Sequence, residues 1–468
     1  MKYALRLIAA VLSWILLMNM VGCSEPDAPE QPTDPTQPAL TAAEIYDSAK
    51  AILLAAPNRI LTYTATEQRT ISDQQTYTES TLGTASYSDF GTENMIAIID
   101  EDVAYGTVKA DYLLSFCNGQ AYSRISGCTF GTEISGDAFI ARQLPAALLD
   151  TTLYESIVLT TNADGSTISF SQPKAAETWV NIPSEATVIS AAGTATLDMT
   201  GVLIQTTYQV NYRYENVEFS LNVTLKCSTP AQLELSALHQ EHPEDYATLS
   251  CLDAPKLLLR AAGNIFASKA ISATINETIF SEMIPLTQQR QSQMHISGQE
   301  QSLWAELSNT VSVKDYRDQP SITTQTYTFQ GGLCHAVIDG GEPTLHPGIT
   351  ADGMRTSIED TVLSPLFATR YLAGATLTEQ ETVYRLDLTG NEAYCDDLTR
   401  DLSAFLNLSM EGVTSYHSTQ AGGYLCIDKV TGLPVAMGMY FSRTHMFGDI
   451  PYVMSYQLDQ EVDLSPAM

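Results

Sequence analysis

The chain of 468 residues is 44% apolar and 16% charged. That is enough apolar material for one or two well-packed domains, and it excludes disorder for most of the length. Against 54 acids stand 23 bases, a formal charge of -31, which excludes nucleic acid and anionic membrane surfaces as partners of the folded body, because both are held through basic side chains meeting phosphates.

Lys2 and Arg6 bracket a short positive start, Leu7 to Val21 is uncharged and mainly apolar, and Met20-Val21-Gly22-Cys23 ends the run with small residues before a cysteine. This is the pattern of a signal peptide rather than a spanning helix. It resembles the lipobox of bacterial lipoproteins. The resemblance implies that residues 1–22 are removed, that Cys23 is the site of lipid attachment and first mature residue, and that the protein is extracytoplasmic and anchored to the cell membrane. An ordinary secretory signal beside a chance cysteine is the alternative. Removing residues 1–22 takes away Lys2 and Arg6 and no acid, so the charge goes from -31 to -33, a solubility device for a protein outside the cytoplasm. Residues 23–40 form a linker in which Pro26, Pro29, Pro32, Pro35 and Pro38 recur every third position. That spacing puts every ring on one face of a polyproline helix, and Ser24 to Pro38 make a stiff spacer of roughly 45 Å at about 3.1 Å per residue.

With Cys23 lipidated, seven cysteines remain: Cys117, Cys128, Cys227, Cys251, Cys334, Cys395 and Cys426. An odd set cannot all pair internally. Cys117 with Cys128, or Cys395 with Cys426, could close short loops, but a body this large does not need covalent staples, so buried free thiols are the favoured reading. No spacing is a metal knuckle or a redox pair, and no twelve-residue calcium loop is found.

The body reads as one unit used twice. Thr41-Ala42-Ala43-Glu44 has the form of a capping box, and the helix it opens places Ile45, Ala49, Ile52 and Leu53 on one stripe. Asp253-Ala254-Pro255 opens another, in which Leu258, Ala262, Ile265 and Phe266 repeat those offsets 213 residues later. Each helix runs into β-rich sequence, Ile60 to Ile71 and Ile271 to Ile279. Phe116 to Tyr122 turns at Asn118-Gly119, and Phe329 to His335, with Gly331-Gly332, sits at the same offset. Helical stretches follow at Asp137 to Leu153 and Met354 to Ala368, then strands with Ile168 and Phe170 or Tyr384 and Leu386. Last, Leu197-Asp198-Met199-Thr200-Gly201-Val202 answers Ile427-Asp428-Lys429-Val430-Thr431-Gly432-Leu433.

Each half ends in alternating strands. Tyr208, Val210, Tyr212 and Tyr214 share a face, Glu215-Asn216 turns, and Val217, Phe219, Leu221, Val223 and Leu225 share a face on the return. In the second half Val435, Met437, Met439 and Phe441 alternate, a loop runs through Gly448 and Pro451, and Tyr452, Met454, Tyr456 and Leu458 alternate again. Such period-two strands belong to antiparallel sheets with one covered face. Polar sequence from Ser228 to Ser250, holding His239, His242 and Pro243, reads as a linker. The expected organisation is α+β: a signal peptide at 1–22, lipidated cysteine and Pro-rich linker at 23–40, a first domain at 41–235, a linker at 236–250 and a second domain at 251–468.

A helix, a meander of strands, a helical insertion and more strands behind a lipobox resembles the LolA/LolB and LppX superfamily of lipoprotein carriers and lipid-binding lipoproteins. The resemblance rests on the order of elements and on the Asp...Thr-Gly turn. It implies two tandem curved antiparallel sheets, half-barrels closed by helices over an apolar cavity, and a non-enzymatic protein that binds or carries a lipid or acyl group. A tandem arrangement departs from the single-domain carriers, and no ligand-contacting residue of the family matches position by position.

Motifs for chemistry are scarce. His239-Gln240-Glu241-His242 has its histidines three apart where a helical zinc protease motif needs four, and Pro243 follows. Ser171-Gln172-Pro173-Lys174 matches a serine-lysine spacing, but the proline opposes the helix that pairing requires. Asp100-Glu101-Asp102 and Asp396-Asp397 read as solvated acids, although a facing pair would revive a carboxylate-dependent hydrolase. No catalytic residue, metal site or cofactor is assigned. Met437, Met439 and Met454 are the candidate ligand-binding residues, adaptable side chains suited to an acyl chain of variable shape, with ordinary core packing as the alternative. The second half, richer in methionine, is the expected ligand holder. The competing class is an envelope scaffold or sensor with filled cores that binds another protein.

Overall fold

The computed structural model describes residues 40–72, 75–125, 128–143, 149–174, 182, 185–236, 247–249, 253–281, 286–298, 302–314, 319–362, 372–391 and 415–464. Ala42–Met468 forms a compact body, and it is this body that is described. Helix α1 (Ala42–Ala55) is followed by β1 (Arg59–Ser72), β2 (Gln75–Ser88), β3 (Ile96–Tyr105), β4 (Val108–Cys117), β5 (Gln120–Ile125) and β6 (Cys128–Glu133). After α2 (Gly136–Gln143) come β7 (Tyr154–Asn162), β8 (Gly165–Pro173), β9 (Thr187–Leu197), β10 (Leu203–Tyr214) and β11 (Val217–Ser228). The short β12 (Ala247–Leu249) precedes the second round. That round begins with α3 (Ala254–Ala267), β13 (Ala270–Ser281), β14 (Leu286–Ser297), β15 (Trp304–Lys314), β16 (Ser321–Gln330), β17 (Leu333–Ile338) and β18 (Thr344–His346). Helix α4 (Ala351–Val362) then leads to β19 (Leu372–Glu379), β20 (Val383–Gly390), β21 (Ser415–Asp428), β22 (Pro434–Phe447) and β23 (Ile450–Asp463).

The fold is α+β, two tandem antiparallel half-barrel units with helices, as the sequence predicts. In each unit six strands and then five form two meanders, and the first strand pairs with the last: β1 with β11 and β13 with β23, both antiparallel. The repeat reaches turn chemistry. Asn118 and Gly119 (φ 53° and 77°) close β4 on β5, and Gly331 and Gly332 (φ 60° and 79°) close β16 on β17. Two successive positive φ values match the twist of paired strands, which is why Asn-Gly and Gly-Gly stand there. Asp198 Oδ1 accepts from Thr200 N at 2.8 Å and Thr200 Oγ1 at 2.7 Å; Asp428 Oδ1 accepts from Thr431 N at 2.7 Å and Thr431 Oγ1 at 2.8 Å. The same carboxylate-held turn joins β9 to β10 and β21 to β22.

Hairpin β10–β11 turns at Glu215-Asn216, with Tyr214 opposite Val217 and the Tyr212 and Phe219 rings stacked at 4.6 Å. The final hairpin is tighter than expected. Phe447 pairs with Ile450 and Pro451 lies inside β23, opposite Met446, so only Gly448-Asp449 turns. Of the expected helical stretches, α2 covers Gly136–Gln143 and β7 starts at Tyr154, while α4 covers Ala351–Val362 and the rest of the second stretch lies outside the described residues.

Helix α1 buries Tyr46, Ala49 and Leu53 and leaves Ile52 exposed. The stripe is therefore rotated from the expected one, because Tyr46 packs edge-on against Phe170 at 5.0 Å and takes the central place. Helix α3 starts where Asp253-Ala254-Pro255 predicts, with Pro in the first turn, where no N–H is missed. It buries Leu258, Ala261 and Ile265.

The segment between the units holds a strand. β12 runs parallel to β6, with Thr248 opposite Gly131, and parallel to β19, with Thr248 opposite Gly374. The pairings thereby chain into one order of 23 strands: β7-β8-β9-β10-β11-β1-β2-β3-β4-β5-β6-β12-β19-β20-β21-β22-β23-β13-β14-β15-β16-β17-β18. Among the described residues, the free edges are β7 and β18.

Cys117, Cys227, Cys334 and Cys426 are free thiols, so neither pairing through Cys117 nor the one through Cys426 is formed. Burial pushes the Cys227 thiol up to about 11, which leaves it inert at neutral pH. Cys23, Cys251 and Cys395 lie outside the described residues.

Candidate functional site

Met437 and Met439 stand on β22 two residues apart, so their side chains share a face. Both are buried, with Phe441 and Leu425, in the interior of the second unit. Met294 on β14 and Met354 on α4 are buried in the same core. Met454 lies on β23, with Arg443 and Ser281 as register partners; its side chain is outside the described residues. The buried residues of the first unit include the rings of Tyr46, Tyr77, Phe116 and Phe170, with Met95. Two of the three sequence candidates thus sit in one interior, together with two methionines that no alternation singled out. Sulfur-bearing, unbranched side chains can repack around a guest more cheaply than rings can.

The inner face of β1 to β4, otherwise apolar, also carries a cluster of charge. Helix α3 brings Lys256, Arg260 and Asn264, four residues apart and hence on one stripe, against the first unit's sheet. Arg260 Nη2 donates to Glu79 Oε2 at 2.7 Å, and Arg69 pairs with the other Glu79 oxygen. Arg69 also donates through Nη1 to Thr431 O at 2.7 Å, and Asn264 Nδ2 donates to Gly432 O at 3.3 Å. The Asp428–Gly432 turn of the second unit is thus plugged onto the first strand of the first. Lys256 pairs with Glu101 and lies 4.2 Å from the centre of the Tyr112 ring, while Tyr63 donates its hydroxyl to Glu101. Burial, then the Glu101 charge, drives the Tyr63 hydroxyl far above its ordinary range. Asp100, Glu101 and Asp102 are consecutive on β3, so only Glu101 enters this seam. Asp100 and Asp102 line an outer groove with Asp111, Lys109 and Arg124.

Glu67 completes the seam, 3.6 Å from Arg69. Burial first, and then the Glu79 charge, raise its carboxyl above the ordinary value of 4.5. A carboxyl raised by folding holds a proton that the unfolded chain has released, so its contribution to stability falls as pH rises from 4.5 through the raised value. The parent is therefore expected to lose stability relative to Glu67→Gln as pH rises through that window, as checked by urea midpoints of both at half-unit steps of pH. Parallel curves would count against a burdened Glu67.

On the opposite face of the second sheet lies an open groove of about 620 Å³ lined by Ser272, His295, Trp304, Glu306, Glu461 and Asp463, among others. Ser272 Oγ and His295 Nδ1 are 2.7 Å apart, and the His295 and Trp304 rings are 5.1 Å apart. Asp463, Ser272, His295 and Glu306 are successive register partners across β23, β13, β14 and β15. A serine-histidine contact invites comparison with a nucleophile and its base. Here the surrounding main-chain N–H groups belong to sheet ladders, and acyl transfer needs free donors at the oxyanion. The contact is a cross-strand hydrogen bond. Ser171 lies in the last residues of β8, with Gln172 at φ 58° and Pro173 closing the strand, so the Ser-x-x-Lys sequence is a strand end and not a helix. His239-Gln240-Glu241-His242 and Asp396-Asp397 lie outside the described residues.

No family model matches the chain, and no curated protein matches it. Among solved structures, LprF from Mycobacterium bovis is similar to it at 10% identity, covering 47% of this chain and 96% of that one, with a TM-score of 0.28. A putative AttH from Nitrosomonas europaea covers 86% of this chain and 92% of that one at 6% identity and a TM-score of 0.12. OccK2 (OpdF) from Pseudomonas aeruginosa covers 88% and 98% at 7% identity and 0.11. At such identities and scores nothing about ligand or activity carries over from them.

Proposed function

We propose that this chain is an extracytoplasmic, membrane-anchored lipoprotein, lipidated at Cys23, that binds or carries an apolar ligand such as a lipid or acyl group and catalyses no reaction. The observation that carries the reading is the burial of four methionines of the second unit, Met294 on β14, Met354 on α4, and Met437 and Met439 on β22. A methionine-rich interior can admit an acyl chain by rotamer changes, where a core of rings would have to move as a block. The Pro-rich spacer suits a body held off the membrane by its anchor, and the acidic surface keeps that body from lying on anionic headgroups.

A second reading is an envelope scaffold or sensor that binds another protein. What favours it is the seam, which sets the charges of Glu79, Arg69, Arg260, Glu101 and Lys256 among the apolar residues of the inner face of β1 to β4.

Native mass spectrometry with solvent extraction, on the chain secreted from a bacterial host without detergent, separates the two. A reproducible apolar adduct, displaced by added lipid, is the expected result. A clean apoprotein mass that persists after incubation with mixed bacterial lipids would sink the ligand reading and leave the scaffold.

A further inference from the structure

Each unit offers two sheet edges, and the chain uses one of each kind. In the second unit β19 begins the five-strand meander after the inserted helix, and it carries β12 in parallel, with Thr248 opposite Gly374 and Leu249 opposite Ala375. In the first unit β7 holds that same place after α2. Among the described residues β7 pairs with β8 alone. Its nine residues contain neither proline nor glycine, and Glu155 is their one charge. Val158 is 54% exposed and Leu159 37% exposed. Edges that must stay unpaired are commonly shortened, kinked or guarded by charge. The opposite free edge, β18, is only three residues long; β7 is three times that length, and past Glu155, near its start, it carries no charge.

We propose that β7 is a docking edge for an extended segment of a partner protein, a run of small and β-branched apolar residues of the Ala-Thr-Leu kind, added in parallel as β12 is added to β19. The argument is continuity with the joint already present in the chain: the repeat presents the same edge twice, and at one copy the occupant is visible. Main-chain pairing supplies the affinity, and the outward Val158 with the inward Ile157 and Leu159 select apolar side chains on the incoming strand. This edge is independent of whether the interior holds a ligand.

The probe is a fluorescein-labelled peptide with the sequence of residues 244–250, Glu-Asp-Tyr-Ala-Thr-Leu-Ser, titrated into the full chain and followed by polarisation. Saturable binding is expected, with hydrogen-exchange protection gained at Ser156 to Thr161 and unchanged at Gly374 and Ala375. Two further peptides, N-methylated at alternate residues, should differ by about tenfold or more, since only one parity faces the edge and each lost bond is worth about 1 kcal/mol. No saturable binding, equal binding of the two methylated peptides, or protection away from β7 would overturn the proposal. So would concentration-dependent self-association that the peptide suppresses, because the occupant would then be a second copy.

Discussion

Replacing Glu79 by glutamine is expected to lower the unfolding free energy of the body by about 3–5 kcal/mol, the usual consequence of removing one partner from a buried charge cluster. Glu79 is the shared acceptor of Arg69 and Arg260, and the Arg69 side chain is only 3% exposed. Without the carboxylate two guanidinium groups remain close together, and Glu67, a single carboxyl 3.6 Å from Arg69, cannot answer both. Urea unfolding at pH 7, read by far-UV circular dichroism, measures the loss. Because Glu79 belongs to the first unit's sheet and Arg260 to α3, the transition should also broaden or divide as the two halves lose their common clamp. The double variant Glu79→Leu with Arg260→Leu should be less damaging than Glu79→Gln alone, since it leaves one cation fewer in the seam and two apolar groups where water is excluded. A loss below about 1 kcal/mol for Glu79→Gln would mean that the cluster is far better solvated than its geometry implies.

Gly263→Ala is the second large effect, and its sign runs against helix propensity. An alanine inside an exposed helix stabilises it by about 1 kcal/mol relative to glycine. Gly263 is buried on α3, and a methyl group there would come within 2.6 Å of Tyr105 Cβ and closer still to the Tyr105 carbonyl oxygen. The obstruction is backbone of β3, which cannot swing aside as a side-chain tip would. The helix must lift, and lifting it stretches the Arg260–Glu79 and Lys256–Glu101 pairs together. A destabilisation of about 2–3 kcal/mol is expected, seen as a lowered melting temperature in calorimetry. A raised melting temperature would show that α3 does not sit this close to the sheet.

Much of the architecture was legible because local chemistry and periodicity agree. Alternation in Tyr208 to Leu225 and Val435 to Leu458 marks hairpins; Asn118-Gly119 and Gly331-Gly332 mark their turns; Asp253-Ala254-Pro255 marks a helix start. Each signal lives within a few residues; the helix and the Asn-Gly turn recur 213 positions on, and the closing hairpin about 230 positions on. Burial was less legible. Ile52 satisfies the helical stripe of α1 and is left in water, because the stripe is wide enough for two solutions and the Tyr46–Phe170 contact chooses between them. For the candidate site, alternation found Met437 and Met439, but Met294 and Met354 join them only through strand and helix packing that no local pattern contains.

The sequence by itself determined the α+β class, the doubled order of elements and the hairpin turns, since these depend on propensity, φ preferences and period. Only the tertiary structure decided how the two units become one body. Lys256, Arg260 and Asn264 form the polar stripe of an amphipathic helix, which sequence logic assigns to solvent. They are turned instead onto Glu101, Glu79 and the Gly432 carbonyl. A polar face is satisfied equally by water or by well-placed opposite charges, and which of them it meets depends on residues some 160 to 180 positions away. β12 makes the same point in backbone terms: three residues of a polar linker become a strand because two sheet edges, β6 and β19, lie one strand's width to either side.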